Sequence, residues 1–409
     1  MSRVRFSPAA LRGRVTVPVS KSAAHRAMIA SFLAGGPDPL PPGETVCEDL
    51  EATRAALAAL EAARRAGGPA GLDCGESGST LRFLIPVAAA LGIEAGFTGR
   101  GRLPQRPLGA YFGLLPAHGV SCESEGGLPL RISGKLTPGV FALPGNVSSQ
   151  FVTGLLFALP LLGGDSEIRL LTPLVSAGYA AMTVRTLSQC GVTVLRTASG
   201  WQIPGRQKYR PFRARIERDW SQAAFFLAAG ALGGCVELAG LRRDSLQGDR
   251  EAEALLRRFG AELRWRNGVL TAEPGVLRGI EIDAAQIPDL VPALAAAACG
   301  ANGRTVVKNA ARLRLKESDR LAAMAEGLSA LGGNVRETAD GLVIDGNGRL
   351  RGGEASGRGD HRVVMALAAA ALIADGGVVV TDAESVRKSY PDFFRDYNRL
   401  GGKADDLGD

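Results

Sequence analysis

The chain has 409 residues, a length that favours two domains over a single core. Its hydrophobic share of 46% and charged share of 22% are typical of a globular protein. The net charge of +7 is spread without a long basic run, which argues against a nucleic-acid partner and favours small anionic substrates.

The cysteines and the apolar stretches indicate the cellular compartment of the protein. All six cysteines are isolated, with no CxxC pair and no Cys/His cluster. We therefore expect no disulfide framework, no metal site and a reducing, cytoplasmic location. The first residues are polar and charged, unlike a signal peptide. Apolar stretches of about a dozen residues fall short of the ~20 that a membrane span needs, so we expect no membrane partner.

One pattern recurs six times along the chain. A polar start precedes an apolar, Ala/Leu-rich helix, which a glycine and a β-branched strand follow. The copies start at Ser22, Ser79, Ser149, Ser221, Asp289 and Asp360. Each starting Ser or Asp is expected to cap its helix. Because the helices are apolar nearly all round, we expect all six to be buried.

A second, more amphipathic helix is predicted between successive copies. Examples span Glu51–Ala66, Gly178–Cys190, Asp249–Phe259 and Glu317–Leu331. These helices should form an outer layer that touches solvent. Six such units divide naturally as three plus three, which predicts two similar α/β domains with a boundary near Arg218.

Polar side chains gather at the helix starts. The first start carries Lys21, Ser22 and Arg26, and a helix N-terminus with these groups suits an anion. A plain cap with solvated charges is the alternative. At the second start, Gly78 would let the backbone approach a ligand, although a simple strand-to-helix turn is as good an interpretation. Arg106 is predicted to open the next helix.

The third start favours a ligand site. Ser148, Ser149 and Gln150 follow one another there, and only one of the two hydroxyls can cap the helix.

The second half repeats this arrangement with more charge. Asp289 lies at the mouth of an apolar helix, as a ligand group or as a cap. Lys316 and Arg320 lie one helical turn apart beside Glu317, where a solvated charged helix start is the alternative. Arg362 precedes an apolar helix and needs an anionic partner or water.

The individual motifs are weak evidence for a function, but their order along the chain makes the whole set specific. They are KSxxHRA (Lys21 to Ala27), GxSGSTLR (Gly75 to Arg82), RxxxRP (Arg102 to Pro107), SSQF (Ser148 to Phe151), IPD (Ile287 to Asp289), LKESDR (Leu315 to Arg320), DHR (Asp360 to Arg362) and KSYPDFF (Lys388 to Phe394). In this order and spacing, the chain resembles the 5-enolpyruvylshikimate-3-phosphate (EPSP) synthase family over essentially its whole length.

The resemblance implies a fold and an activity. The fold is that of enolpyruvyl transferases: two inside-out α/β domains, each of three βαβαββ units. The N-terminal domain would span residues 20–218, and the C-terminal domain residues 1–19 and 219–409. The activity is transfer of the enolpyruvyl group of phosphoenolpyruvate to the 5-hydroxyl of shikimate 3-phosphate, with release of phosphate through a tetrahedral intermediate. This reaction belongs to the shikimate pathway to chorismate and aromatic amino acids. No cofactor and no metal are implied, and we expect a monomer.

The resemblance also implies site residues. Those for shikimate 3-phosphate are Lys21, Ser22, Arg26, Ser148, Ser149, Gln150, Ser176, Tyr179, Asp289, Arg312 and Lys316. Those for phosphoenolpyruvate are Lys21, Gly78, Arg106, Gln150, Arg320, Arg362 and Lys388. In the first set, the phosphate would meet Ser148, Ser149 and Ser176, and the carboxylate Arg26. The implied catalytic groups are Asp289, as base for the 5-hydroxyl, and Glu317 or Lys21, as proton donor to the methylene carbon. Nearby cations should keep Glu317 ionised, so its role ranks below that of Asp289.

The sequence departs from the family at two places. Many members have Asn-Ala-Gly-Thr where this chain has Glu76 to Ser79, and many have Asn at the position of Arg312. Arg312 would therefore either add a salt link or point away from the substrate.

Three other functions compete with this one. The UDP-N-acetylglucosamine enolpyruvyl transferases share the fold, but they usually carry a cysteine in the loop that corresponds to Gly99 to Pro107, which has none here. A non-catalytic anion-binding relative would not need the full set of charged residues. Nucleic-acid binding is disfavoured by an aromatic content of only 5%.

Overall fold

The computed structural model describes residues 2–408 of the chain. It divides into two compact units: Lys21–Ile216, the N-terminal unit, and Met1–Ser20 with Glu217–Asp409, the C-terminal unit. The sequence-based boundaries at residues 20 and 218 fall beside these transitions. At the junction, a β-bridge pairs Val19 with Arg218.

The α-helices and strands alternate along both units. The helices are α1 Lys21–Leu33, α2 Glu48–Ala66, α3 Gly78–Leu91, α4 Gly109–Leu114, α5 Ser149–Ala158, α6 Ala177–Gln189, α7 Trp220–Gly233, α8 Glu251–Phe259, α9 Val291–Cys299, α10 Arg320–Ala330, α11 His361–Ala370 and α12 Phe393–Arg399. The strands are β1 Val4–Phe6, β2 Arg12–Val15, β3 Ala70–Asp73, β4 Ala95–Thr98, β5 Val120–Glu123, β6 Leu130–Gly134, β7 Val140–Leu143, β8 Ser166–Leu170, β9 Leu195–Arg196, β10 Gly200–Ile203, β11 Cys235–Ala239, β12 Glu262–Arg266, β13 Val269–Glu273, β14 Glu281–Asp283, β15 Asn302–Lys308, β16 Asn334–Glu337, β17 Leu342–Asn347, β18 Gly353–Ser356, β19 Val378–Thr381 and β20 Ala404–Asp406.

The strands form four-stranded sheets with one shared plan. The orders are β3-β4-β6-β5 and β7-β8-β10-β9 in the N-terminal unit, and β12-β13-β11-β2, β14-β15-β17-β16 and β18-β19-β1-β20 in the C-terminal unit. In each, one parallel pair is extended by two antiparallel pairs; β14 is parallel to β15, for example, while β17 is antiparallel to both β15 and β16. Strands and helices thus repeat as βαβαββ units.

The first copy of the repeat differs from the others. It supplies α1 and α2, but among residues 2–408 no four-stranded sheet accompanies them. The connecting segment contains Pro37, Pro39, Pro41 and Pro42. Proline has no backbone N–H to donate to a strand ladder, so residues 37–42 are poorly suited to a regular strand.

The six predicted buried helices are confirmed as α1, α3, α5, α7, α9 and α11. Most of their residues are buried, and they supply much of the hydrophobic core of their own unit. The predicted outer helices correspond to α2, α6, α8 and α10. The short helix α12 was not predicted, since it carries no long apolar run, whereas α4 corresponds to the helix expected after Arg106 and starts three residues later, at Gly109.

Several predicted caps are wrong by one or two residues. The capping side chains belong to Ser77 in α3, Ser148 in α5 and Asp219 in α7, each of which accepts a backbone N–H from the first turn. Asp360 caps α11 as predicted. An N-cap residue needs an extended backbone, which Ser77, Ser148 and Asp219 adopt one or two positions before the predicted starts.

A proline inside α3 shapes the packing of the N-terminal unit. Pro86 has no N–H, so the Arg82 carbonyl four residues earlier lacks its helical donor. The hydroxyl of Tyr111 donates to that carbonyl at 2.7 Å instead. Gly154 of α5 lies against the same place: a Cβ added there would be 2.4 Å from the Arg82 oxygen and 2.5 Å from the Tyr111 hydroxyl.

Two further findings concern the described residues as a whole. Within residues 2–408, none of the helices combines the length and the apolar character needed to cross a membrane. The same part of the chain holds no group of three or more His, Cys, Asp or Glu residues placed to bind a metal ion.

We expect Gly154→Ala to destabilise the N-terminal unit, because its methyl group would push α5 away from α3. Overpacking of this kind costs about 1–3 kcal/mol. The matched control is Gly113→Ala in α4, where an added Cβ meets no described atom within 4 Å. Urea unfolding of both variants checks this expectation, and an unchanged midpoint for Gly154→Ala would contradict it.

Candidate active site

In the N-terminal unit, the start of α1 holds a paired cation. Lys21 is the first residue of the helix, and its Nζ lies 2.6 Å from Oδ2 of Asp49 on α2. The two side chains are only 17% and 12% exposed. The solvated alternative for this lysine is therefore wrong. Sequence reasoning did not identify Asp49, since a lone carboxylate in a first helical turn is unremarkable.

Arg26 lies one turn further along α1 and is buried. Its guanidinium donates to Thr183 Oγ1 at 2.9 Å, to the Ser22 carbonyl at 2.6 Å and to the Tyr179 carbonyl at 3.0 Å. Burial lowers the pKa of Arg26 to about 10, so it stays charged at neutral pH. These bonds tie α1 to α6, and the predicted contact of Arg26 with a substrate carboxylate stays a prediction.

The start of α3 brings two predicted residues together. A Cβ added to Gly78 would lie 2.9 Å from both Cζ and Nη1 of Arg106. The absence of a side chain at Gly78 therefore makes room for the guanidinium. The prediction that Arg106 opens a helix is wrong. Arg106 follows the 3-10 turn Leu103–Gln105 in an extended conformation and is 8% exposed.

Gln150 at the start of α5 is held by two neighbours. Its Oε1 accepts from Arg82 Nη1 at 2.7 Å, and its Nε2 donates to Ser79 Oγ at 3.0 Å. Because Ser77 and Ser148 are the caps, the hydroxyls of Ser79 and Ser149 are not used for capping. Arg82 was part of a motif but was not predicted as a site residue; it positions Gln150.

Two loops of the N-terminal unit carry the serines that are predicted to bind the phosphate of shikimate 3-phosphate. The Gly145 and Asn146 N–H groups donate to Thr172 Oγ1 at 2.9 and 3.1 Å, and the Val175 N–H donates to the Gly145 carbonyl at 3.1 Å. These bonds tie the loop before Ser148 to the loop before Ser176. Ser176 adopts a left-handed backbone, with φ 52°, at the entrance to α6.

In the C-terminal unit, one carboxylate meets three cations. Asp289 Oδ1 lies 2.8 Å from Arg320 Nη1 and 3.4 Å from Lys316 Nζ, and its Oδ2 lies 3.4 Å from Arg362 Nη2. Asp289 sits in the 3-10 turn Pro288–Leu290, and its side chain does not cap α9. Its interpretation as a plain cap is therefore wrong.

The ionisation of Asp289 follows from these contacts. Burial alone would raise its pKa, but the three cations, led by Arg362, hold the pKa well below the usual range. Asp289 is therefore an ionised carboxylate, a potential proton acceptor, in the middle of an anion-attracting group.

Arg320 is the most enclosed cation of this group. Its side chain is 1% exposed, so the alternative of a solvated helix start is wrong for it. Besides Asp289, it donates to Glu317 Oε2 at 2.5 Å and to Asp360 Oδ2 at 2.8 Å. Burial lowers the pKa of Arg320, but the three carboxylates outweigh that effect and raise it.

Asp360 organises this group. Its side chain accepts from the Arg362 N–H at 2.9 Å as the cap of α11 and from Ser318 Oγ at 3.0 Å, in addition to Arg320. Sequence reasoning predicted the cap and missed the ion pair, whose arginine lies 40 residues earlier in the chain.

Two further predicted cations of the C-terminal unit, Lys388 and Arg312, donate to backbone carbonyls that lie shortly before Asp360 and Asp289 in the sequence. Lys388 Nζ donates to the carbonyl of Gly359, the residue before Asp360, at 2.7 Å. Arg312 Nη2 donates to the Ala285 carbonyl at 2.7 Å, in the segment before Asp289. Its contact with a substrate stays a prediction.

A further carboxylate of this unit has the opposite tendency. Asp249 accepts a hydrogen bond from the Ser221 hydroxyl and is 1% exposed. Burial first, and then the negative charge of Asp289, raise the pKa of Asp249 to about 6. Neighbouring carboxylates with divergent pKa values are typical of sites that move protons.

We expect Asp249→Asn to change how stability depends on pH. An unfolded Asp ionises near 3.9, so the higher folded pKa stabilises the fold at low pH, and this contribution, about 3 kcal/mol, is lost as pH rises through about 6. The variant lacks that loss. The difference in melting temperature, variant minus wild type, should therefore be larger at pH 7.5 than at pH 5.

The control for this prediction is Asp405→Asn, which changes an exposed carboxylate of the same unit. Its melting-temperature difference at the two pH values gives the baseline for removing a surface charge. A difference for Asp249→Asn that is equal at the two pH values would contradict the raised pKa.

Comparison with known proteins places these groups in context. The family model described as EPSP synthase (3-phosphoshikimate 1-carboxyvinyltransferase) matches residues 7–397. The 3-phosphoshikimate 1-carboxyvinyltransferase of Clostridium kluyveri is 43% identical over 424 residues, which cover 99% of each chain. That of Clostridioides difficile is 39% identical over 433 residues, again with 99% of each chain.

Solved structures agree with this fold. The EPSP synthase from Acinetobacter baumannii superposes with a TM-score of 0.78 at 26% identity, covering 99% of this chain and 100% of that one. The enolpyruvyl transferase NikO from Streptomyces tendae gives a TM-score of 0.75 at 19% identity, covering 100% and 99%, which shows a shared fold alone. With the family model spanning nearly the whole length, the chain belongs to the EPSP synthase family.

Proposed function

We propose that this chain transfers the enolpyruvyl group of phosphoenolpyruvate to the 5-hydroxyl of shikimate 3-phosphate and releases phosphate. The hydroxyl oxygen adds to C2 of phosphoenolpyruvate while C3 gains a proton, which gives a tetrahedral intermediate. Loss of the C3 proton and of the phosphate then restores the double bond. The reaction needs a base, an acid and several cations, and no redox step.

Family membership and the charge of the substrates support this proposal. Both substrates carry a phosphate and a carboxylate, and groups of Arg and Lys are the usual protein counterpart of such anions. We propose the following substrate-binding residues. For shikimate 3-phosphate these are Lys21, Ser22, Arg26, Ser148, Ser149, Gln150, Ser176, Tyr179, Asp289, Arg312 and Lys316. For phosphoenolpyruvate they are Lys21, Gly78, Arg106, Gln150, Arg320, Arg362 and Lys388.

The single observation that supports the mechanism best is the position of Asp289 among three cations. In the protein without substrate, these cations make Asp289 ionised but a weak base. An anionic substrate bound to Arg362 or Lys316 would offset their charge and raise the pKa of Asp289. The base would therefore reach useful strength only once substrate is bound, as general-base catalysis requires.

Two residues are candidates for the proton donor to C3, Glu317 and Lys21. Glu317 accepts from Arg320 at 2.5 Å, and that contact favours its ionised, proton-free form. Lys21 carries a proton at neutral pH, in its ion pair with Asp49. We therefore propose Lys21 as the donor in preference to Glu317.

The oligomeric state, the location and the cofactor requirement of the chain also stay proposals. We propose that it acts as a monomer in the cytoplasm and needs no cofactor or metal. The isolated, free cysteines are consistent with a reducing compartment. Light scattering on the purified protein tests the monomer, and a mass of twice 42.5 kDa would contradict it.

We expect Asp289→Asn to abolish most turnover. Removal of a general base typically costs about 10²- to 10⁴-fold in rate. The measurement is phosphate release from phosphoenolpyruvate, with and without shikimate 3-phosphate. Glu326→Gln, which alters an exposed carboxylate on α10, is the control and should keep wild-type turnover.

Other outcomes of that assay have distinct meanings. Release by the wild type with UDP-N-acetylglucosamine, but not with shikimate 3-phosphate, would assign the other transferase activity. Absence of release with either acceptor would support the non-catalytic relative. Full turnover by Asp289→Asn would leave the reaction in place and remove Asp289 as its base.

We expect Gly78→Ala to weaken phosphoenolpyruvate binding. The added methyl group would displace the flexible end of Arg106 rather than unfold the unit. Loss of one charged contact of this kind corresponds to roughly a tenfold rise in KM for phosphoenolpyruvate, with kcat less affected. The control is Gly71→Ala on β3, where an added Cβ meets no described atom within 4 Å. Equal KM values for the two variants would contradict the role of this contact.

A further inference from the structure

A chain of buried hydrogen bonds links three helices of the N-terminal unit. Nδ1 of His25 on α1 lies 2.7 Å from Thr53 Oγ1 on α2. Thr53 Oγ1 lies 2.6 Å from Thr80 Oγ1 on α3, and Thr80 Oγ1 donates to Ser77 Oγ at 2.7 Å. All four residues are at most 1% exposed. None of them belongs to the predicted substrate-binding set.

The direction of the hydrogen bonds follows from counting protons. Each hydroxyl has one proton to donate. Both threonine hydroxyls also lie near the Asp49 carbonyl, at 3.4 and 3.5 Å, but these contacts are much longer than the 2.6 and 2.7 Å contacts within the chain. With the Thr80 proton directed to Ser77, Thr53 donates to Thr80, and His25 donates from Nδ1 to Thr53. The whole chain therefore points one way, from the ring of His25 to the cap of α3.

The state of the histidine ring agrees with this direction. Among the described residues, the buried Nε2 atom has no hydrogen-bond partner, as expected of a nitrogen without a proton. Burial, and then the charges of Lys21 and Arg26, lower the pKa of His25 well below its usual value. His25 is therefore a neutral ring with one proton, and its Nδ1 holds that proton for Thr53.

The far end of the hydrogen-bonded chain lies beside residues that we propose to bind phosphoenolpyruvate. Ser77 caps α3 by accepting the Thr80 N–H at 3.2 Å. The next two residues are Gly78, which packs against Arg106, and Ser79, which accepts from Gln150. A small shift of the cap would move both contacts.

Core packing alone does not account for this arrangement. An apolar side chain at residue 25 would fill the site without leaving a buried nitrogen unpaired, which is costly. The two threonines are likewise fully buried, and valine has nearly the same shape. What the polar set adds is a fixed distance and direction between α1, α2 and α3.

We propose that His25 is a positioning residue, which acts through Thr53 and Thr80 to hold the Ser77–Ser79 start of α3 in the geometry that binds phosphoenolpyruvate. This inference rests on the proposed function, because it assigns that substrate to the start of α3.

The experiment compares isosteric variants of the hydrogen-bonded residues by steady-state kinetics with both substrates. Thr53→Val and Thr80→Val remove one link each, and we expect each to raise KM for phosphoenolpyruvate about tenfold, the equivalent of one buried hydrogen bond. KM for shikimate 3-phosphate should change less. The double variant should be no worse than either single one, because residues of one chain are not additive.

Conservative variants separate positioning from general stability. Thr53→Ser keeps the hydroxyl, and His25→Asn can present an N–H where Nδ1 lies, so both should retain wild-type KM values; His25→Leu should behave like Thr53→Val. Thr186→Val is the control, since Thr186 Oγ1 donates to the Met182 carbonyl on α6 and takes no part in the hydrogen bonds from His25 to Ser77. Melting temperatures are recorded for every variant. If the valine variants fail to fold, the comparison of His25→Asn with His25→Leu decides.

The outcomes are distinguishable. Variants with lower melting temperatures but unchanged KM for phosphoenolpyruvate would overturn the inference, as would additive effects in the double variant or an equal loss in His25→Asn and His25→Leu. A wild-type protein that releases no phosphate would refute the proposed function first, and the inference with it. Selective loss of phosphoenolpyruvate affinity, restored by the conservative variants, is the expected result.

Discussion

The burial of apolar helices on all sides is the constraint on which the rest of this molecule depends. A helix such as α9 or α11, buried along its whole length, has no face on which to carry polar chemistry. Polar and charged residues can enter only at the ends, where the backbone N–H groups of the first turn need acceptors and favour anions. The repeated fold therefore produces a repeated kind of site: a helix start with charged side chains around it.

The charges at these starts compensate one another. In the C-terminal unit, the carboxylates of Asp289, Glu317 and Asp360 surround Arg320, which could not remain buried as a lone cation. In the N-terminal unit, Asp49 plays the same part for Lys21. A bound anion would compete with the carboxylates for these cations. The same contacts that allow charges to be buried would thus make the proposed acid–base groups respond to a bound anion.

Local sequence predicted the features that are local in the chain. The six apolar helices, and the caps within one or two residues of their starts, follow from short patterns. The sixfold repeat also predicted a sheet for the first copy, but among residues 2–408 no four-stranded sheet accompanies that copy. The motif order also led to the family. The ion-pair partners did not follow from the sequence, because Asp49 lies 28 residues from Lys21 and Asp360 lies 40 residues from Arg320. Nothing in a lone Asp shows which distant cation it will meet, and the His25 hydroxyl chain crosses three helices for the same reason.

The effect of the three cations on Asp289 can be measured directly from its ionisation with and without phosphoenolpyruvate and shikimate 3-phosphate. Carbon-13 carboxyl signals of labelled aspartate, assigned by the signal missing from Asp289→Asn, would follow it through a pH titration. We expect the pKa of Asp289 to lie well below the usual range in the protein alone and to rise clearly when the anionic substrates are bound. An ordinary pKa in the protein alone, or a low one that the substrates leave unchanged, would contradict the claim that its surrounding cations control this base.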